Sequence, residues 1–89
     1  MLWRSRILPE AKRDIEKLDA PVRRRIYERL SWLAYHFDEV VPVALTVPFT
    51  GFFKLRTGDW RIVYEINEST HEIIVHAVDR RDKVYKKRV

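Results

Sequence analysis

Three short stretches of this sequence carry side chains suited to phosphate chemistry: Lys54 with Arg56, then Arg61, and finally Arg80-Arg81 with Tyr85. A guanidinium offers a planar fork of N–H donors that matches two oxygens of a phosphate, and lysine adds a compact positive charge. A tyrosine can stack a base or donate to a phosphate. A lone Lys-x-Arg on an exposed strand is usually only solvated. Cations delivered to one place by three separate segments point instead to phosphate or RNA binding.

The elements that would deliver them can be read from periodicity. Leu2 to Leu8 alternates loosely and predicts a strand. Pro9-Glu10 suits a first helical turn, and Ala11, Ile15 and Leu18 then form one apolar stripe. Asp19-Ala20-Pro21 ends that helix and starts a second, in which Val22, Ile26, Leu30, Leu33, Ala34 and Phe37 hold the helical period while Arg23, Arg24, Glu28 and Arg29 face away. Asp38 to Thr50, with Pro42 and Pro48, reads as an irregular segment whose valines and Leu45 pack over a core edge. Strands follow at Phe52–Arg56, Trp60–Ile66 and Glu72–Val78, the first two joined by a tight turn at Thr57-Gly58-Asp59. The expectation is one α+β domain over residues 1–89, ordered β-α-α-β-β-β, with a helical hairpin on one face of an antiparallel sheet. Lys83 to Val89 could add a short strand or stay mobile.

Strand alternation refines the site. With Phe53, Leu55, Ile62, Tyr64 and Ile66 turned to the helices, Phe52, Lys54, Arg56, Arg61, Val63 and Glu65 share the open face. The third strand brings Arg80, Arg81 and Tyr85 to a neighbouring edge. The result is a cationic, aromatic-edged surface, to which Lys83 and Lys86 add charge.

The net charge of +5 is concentrated: residues 1–79 hold twelve basic and twelve acidic side chains, and the last ten residues hold six basic against Asp82 alone. Such a cluster attracts phosphate backbones, an acidic protein or an anionic membrane. With no cysteine, disulfides, thiolate metal sites and cysteine nucleophiles are excluded. The histidines and carboxylates show no H-x-x-x-H or D-x-D-x-D spacing, so no metal or other cofactor is expected. No apolar run approaches the ~20 residues of a membrane span, and Met1-Leu2-Trp3-Arg4 has no signal-peptide core, which points to the cytoplasm. Of the histidines, His36 closes the second helix, His71 lies in a turn, and His76, between Val75 and Ala77, is the one candidate for catalysis.

The run Phe53-Lys54-Leu55-Arg56-Thr57-Gly58-Asp59-Trp60-Arg61-Ile62-Val63-Tyr64 resembles the K-L-R-x-G-D-[YW]-R-[IV]-x-Y core of RelE-type toxins. Val78-Asp79-Arg80-Arg81-Asp82-Lys83-Val84-Tyr85 is similar to their closing V-x-x-R-x-x-V-Y motif, and Pro9-Glu10-Ala11 to Leu18 with a basic second helix matches their opening. The resemblance implies a microbial RNase fold that cleaves mRNA in the ribosomal decoding site. It also implies restraint by a cognate antitoxin, contact with promoter DNA only through the toxin–antitoxin complex, and no membrane. Lys54, Arg61, Arg81 and Tyr85 fall on the family's functional positions, with Arg56, Arg80, Lys83 and Lys86 as further phosphate contacts. Some members carry a lysine where this chain has Phe52. RNA supplies its own nucleophile, so Lys54 would take the 2′-hydroxyl proton, and Arg61 and Arg81 would stabilise the phosphorane. Arg81 would assist the leaving 5′-oxygen, and Tyr85 would hold a base or the phosphate. The alternative is a ParE-like toxin on the same fold, which inhibits DNA gyrase by binding and cuts no RNA.

Overall fold

The computed structural model describes residues 2–86, and the side chains of residues 2–85. The elements are β1 (Arg4–Ile7), α1 (Pro9–Glu16), α2 (Ala20–Tyr35), a 3-10 turn (Phe37–Glu39), β2 (Val43–Ala44), β3 (Phe53–Thr57), β4 (Trp60–Asn67), β5 (Glu72–Arg80) and a 3-10 turn (Val84–Lys86). They form a five-stranded sheet in the order β1-β5-β4-β3-β2. The α+β class holds, and the expected elements follow in order with one strand added after the helices.

Two details differ from expectation. The sheet is mixed, because β1 pairs parallel to β5, with Arg4 opposite Glu72 and Ile7 opposite Val75. Side-chain alternation encodes which face a residue occupies and says nothing of strand direction. The Asp38–Thr50 segment also contributes a strand, in which Val43 and Ala44 pair antiparallel with Lys54 and Phe53. Two residues directly after Pro42 carry too little periodicity to announce a strand.

The helices cover one face of the sheet. Ala11 and Ile15 of α1, and Ile26, Leu30 and Leu33 of α2, close a core with Leu55, Ile62, Tyr64, Ile73, Val75 and Val78. An eight-residue helix such as α1 is marginal alone, so packing on β5 maintains it. Asp14 also ties it down: Val78, beyond the last residue of β5 that β1 pairs, donates its backbone N–H to the Asp14 carboxylate at 3.0 Å. That bond satisfies a donor on a strand edge.

The opposite face carries a second, smaller core. Val63 and Ala77 are covered by Val84 of the last 3-10 turn, with Leu45, Phe52 and Tyr85 packed around them. The face expected to be open is therefore partly closed by the C-terminal turn and by the segment between β2 and β3. Phe52 belongs to this core, which accounts physically for an aromatic where a lysine would be exposed.

A bulge sets the phase of β5. Pairing passes from Val63 with Ala77 to Tyr64 with Val75, so His76 is the extra residue. It keeps both Val75 and Val78 in the helix-side core. His76 is left to donate from Nε2 to Glu65 at 2.6 Å, with the Phe52 ring edge-on at 4.9 Å.

Candidate functional site

The β3–β4 hairpin creates the site. Thr57 pairs with Trp60, leaving Gly58-Asp59 as a two-residue turn with Gly58 at φ 60°, a value glycine adopts without steric cost. This fixes the register: Arg56 lies opposite Arg61, and Lys54 opposite Val63. Lys54 and Arg61 are thus diagonal neighbours on one face, a relation that spans about 7–8 Å in antiparallel pairs. Across β4, Arg61 faces Asp79 of β5.

Arg61 is the buried charged residue among the described residues, 8% exposed. Its Nη1 donates to the carbonyls of Gly58 at 2.9 Å and Trp60 at 3.0 Å. Part of the guanidinium therefore holds the turn together. The same turn receives Arg81, whose backbone N–H donates to the Asp59 carbonyl at 2.9 Å while the residue stays exposed.

Lys54 sits between two depressions. The first, about 380 Å³, is lined by Lys54, Arg56 and Arg61 from the sheet, Arg29 and Trp32 from α2, Tyr64, and the apolar stretch Val40–Val43. Its walls bring four cations and no carboxylate. The second, about 310 Å³, joins Lys54 to Tyr85, Phe49 and residues 44–47. Tyr85 is half-buried, and its hydroxyl is buried with no hydrogen-bond partner among the described residues.

The structure thus gathers Lys54, Arg56 and Arg61 at one groove, brings Tyr85 to Lys54 through the other, and roots Arg81 at the turn that Arg61 grips. Arg80 is placed differently. It pairs with Trp60, which packs on the helix-side core, and its guanidinium lies 5.9 Å from the Trp60 ring centroid. Arg80 is therefore on the opposite face from Lys54, because its partner Trp60 alternates with Val63, the partner of Lys54. Lys83 is exposed in the turn that follows β5, where its N–H bonds the Arg80 carbonyl. The Lys86 side chain lies outside the described residues.

Arg29, which helix periodicity turns outward, and Trp32, which lies outside the apolar stripe of α2, are both groove residues. Arg29 lies over the Trp32 ring at 4.3 Å, and Trp32 stacks on His36 at 4.7 Å. The available signal was the i, i+3, i+7 spacing of Arg29, Trp32 and His36, which puts all three on one helix face. Burial raises the Tyr64 phenol in the groove to about 12. Among the described residues no group of three or more His, Asp or Glu side chains could hold a metal ion, and no helix is long and apolar enough to cross a membrane.

A five-stranded mixed sheet with a helical hairpin on one face is the fold of RelE toxins. Similar solved structures include the toxin–antitoxin complex RelBE2 of Mycobacterium tuberculosis (TM-score 0.81, 24% identity, covering 91% of this chain and 100% of that one). A mutant of the Escherichia coli toxin RelE in the free state matches at TM-score 0.75 and 20% identity, over 97% of this chain and 93% of that one. The archaeal RelE–RelB complex of Pyrococcus horikoshii matches at 0.71 and 21%, over 94% and 100%. A search of curated proteins by sequence finds no match. The sequence model of the ParE toxin of the type II toxin–antitoxin system parDE matches residues 6–85. The chain belongs to this family, within the RelE/ParE superfamily, and is a toxin of a type II toxin–antitoxin system.

Proposed function

We propose that this toxin is an endoribonuclease that cuts mRNA on the ribosome without a metal and so stops translation. The observation that carries the reading is the groove in which Arg29, Lys54, Arg56 and Arg61 meet with no carboxylate among the lining residues. A phosphodiester seated there meets opposite charge on several sides in a partly desolvated setting, where electrostatic stabilisation is strongest. Lys54, as the neutral amine, accepts the 2′-hydroxyl proton and becomes an ammonium, the 2′-oxygen attacks the adjacent phosphorus, and the bond to the 5′-oxygen breaks as that oxygen takes a proton from solvent with the help of Arg81. Arg61 and Arg81 stabilise the phosphorane. Tyr85, which lines the second depression together with Lys54, holds the phosphate or an adjoining base. The ribosome pre-aligns the 2′-oxygen, a contribution of roughly 7 kcal/mol or more in oriented systems.

The partner in the resting cell is a cognate antitoxin, as in the RelE–RelB complexes of similar fold. Promoter DNA is reached only through that complex. The cytoplasm, where ribosomes are, is the site of action.

A second reading draws on the family match, since the matched model describes ParE toxins. Under it the chain binds DNA gyrase and leaves mRNA whole. A short pulse of expression separates the two. New mRNA 5′ ends within codons, absent for Lys54→Ala, support the nuclease. Intact mRNA with gyrase-dependent DNA breaks would establish the other.

A further inference from the structure

Arg29 and Trp32 form the helix side of the groove. We infer that Arg29, supported by Trp32, stacks the nucleobase beside the scissile phosphate and sets substrate affinity. This rests on the nuclease reading and adds a base-binding wall to it.

The support is a pile of three planar groups along α2. Arg29 lies 4.3 Å from the Trp32 ring centroid, and Trp32 lies 4.7 Å from His36 with the rings 28° from parallel. His36 is fixed in turn by Nδ1 donating to the Trp32 carbonyl at 2.9 Å. A cation over an indole face is held there by the ring quadrupole. Arg29 is thereby removed from the usual wandering of a surface arginine and presented at the groove, where it meets Lys54 and Arg56. Trp32 remains 40% exposed, a large aromatic kept at a cationic edge.

The chemistry favours a nucleotide. Guanidinium planes stack on unpaired bases as aromatic rings do. A phosphate bound between Lys54 and Arg61 brings its adjoining base into the same groove, whose 380 Å³ falls within the range of small-ligand sites. Val40 to Val43 supply an apolar floor for the flat faces of a base.

The test uses purified toxin, programmed ribosomes and the split between KM and kcat. Arg29→Lys keeps the charge and loses the plane; it should raise KM about fivefold or more and leave kcat within about twofold. Trp32→Ala should do the same, and Trp32→Phe should restore normal KM. An mRNA with an abasic nucleotide beside the cut should raise the wild-type KM by a similar factor and add nothing to that of Arg29→Lys. An unchanged KM for Arg29→Lys, or an equal abasic penalty in both proteins, overturns the inference and leaves the nuclease standing. So does a variant that loses only its affinity for an acidic antitoxin, which would make the wall a protein contact. No cleavage by the wild type overturns both readings. Unchanged urea midpoints establish that the variants are folded.

Discussion

Arg56 and Arg61 lie directly opposite each other across the β3–β4 hairpin, and Arg61 turns Nη1 onto the carbonyls of Gly58 and Trp60. Like charges in facing positions destabilise a sheet by roughly 0.2–1 kcal/mol. Charge-assisted bonds to the turn offset this, at roughly 1.5–3 kcal/mol for such bonds. Arg61 thus serves the turn as well as the groove. Arg61→Ala should lower both the urea midpoint and the cleavage rate, the rate by ~10²–10³-fold. Arg56→Gln should leave stability equal or slightly raised. Near-normal cleavage by a folded Arg61→Ala protein would remove Arg61 from the chemistry.

Asp14 adds a side-chain hydrogen bond to the apolar packing between α1 and β5. Asp14→Ala removes the charged acceptor of the Val78 N–H, a kind of bond worth roughly 1.5–3 kcal/mol. Asp14→Asn retains an acceptor oxygen and should recover most of the loss. Denaturant midpoints for the two variants decide this, and equal midpoints would show that the bond is immaterial.

Tyr85 presents the opposite balance. Its hydroxyl is buried without a partner among the described residues, so it contributes desolvation cost and no compensating bond there. Tyr85→Phe should be neutral or stabilising by up to about 1 kcal/mol. If the hydroxyl grips the phosphate, the same variant should also cleave more slowly, and Tyr85→Ala should lose stability through the second core. A Tyr85→Phe protein that is both less stable and fully active would contradict this division.

Much of the site was legible because a strand repeats every two residues. The alternation of Phe53-Lys54-Leu55-Arg56, with the Gly58-Asp59 turn, fixes which cations share a face, and the register follows from the turn length. What escaped depends on long-range packing. Val84 folds back over Val63 and Ala77, so an apparently open face holds a core. His76 would face the helices by strict alternation with Val78; a bulge turns it toward Glu65, and no local signal marks it. Arg80 and Arg81 are adjacent in sequence, yet Arg80 turns to the Trp60 ring on the helix side, and Arg81 meets the turn through its backbone N–H. Arg29 joins the site because α2 passes over the edge of β3, a crossing that helix periodicity does not encode.

Tyr64 allows a test of the groove wall by pH. Its folded pKa is pushed up to about 12 from an ordinary 10.0, because burial disfavours the phenolate. Between these values the unfolded chain releases a proton that the folded chain retains. Stability from this group is therefore whole below pH 10.0 and falls as pH rises toward about 12. A shift of this size amounts to roughly 2–3 kcal/mol at the upper limit. The measurement is the difference in urea midpoint between wild type and Tyr64→Phe across that range, which cancels every group the two share. The difference should be flat below pH 10 and then move against the wild type. A flat difference throughout would mean that Tyr64 ionises freely. At neutral pH the phenol is uncharged, so the wall between Trp32 and Lys54 offers an anionic substrate no repulsion from this residue.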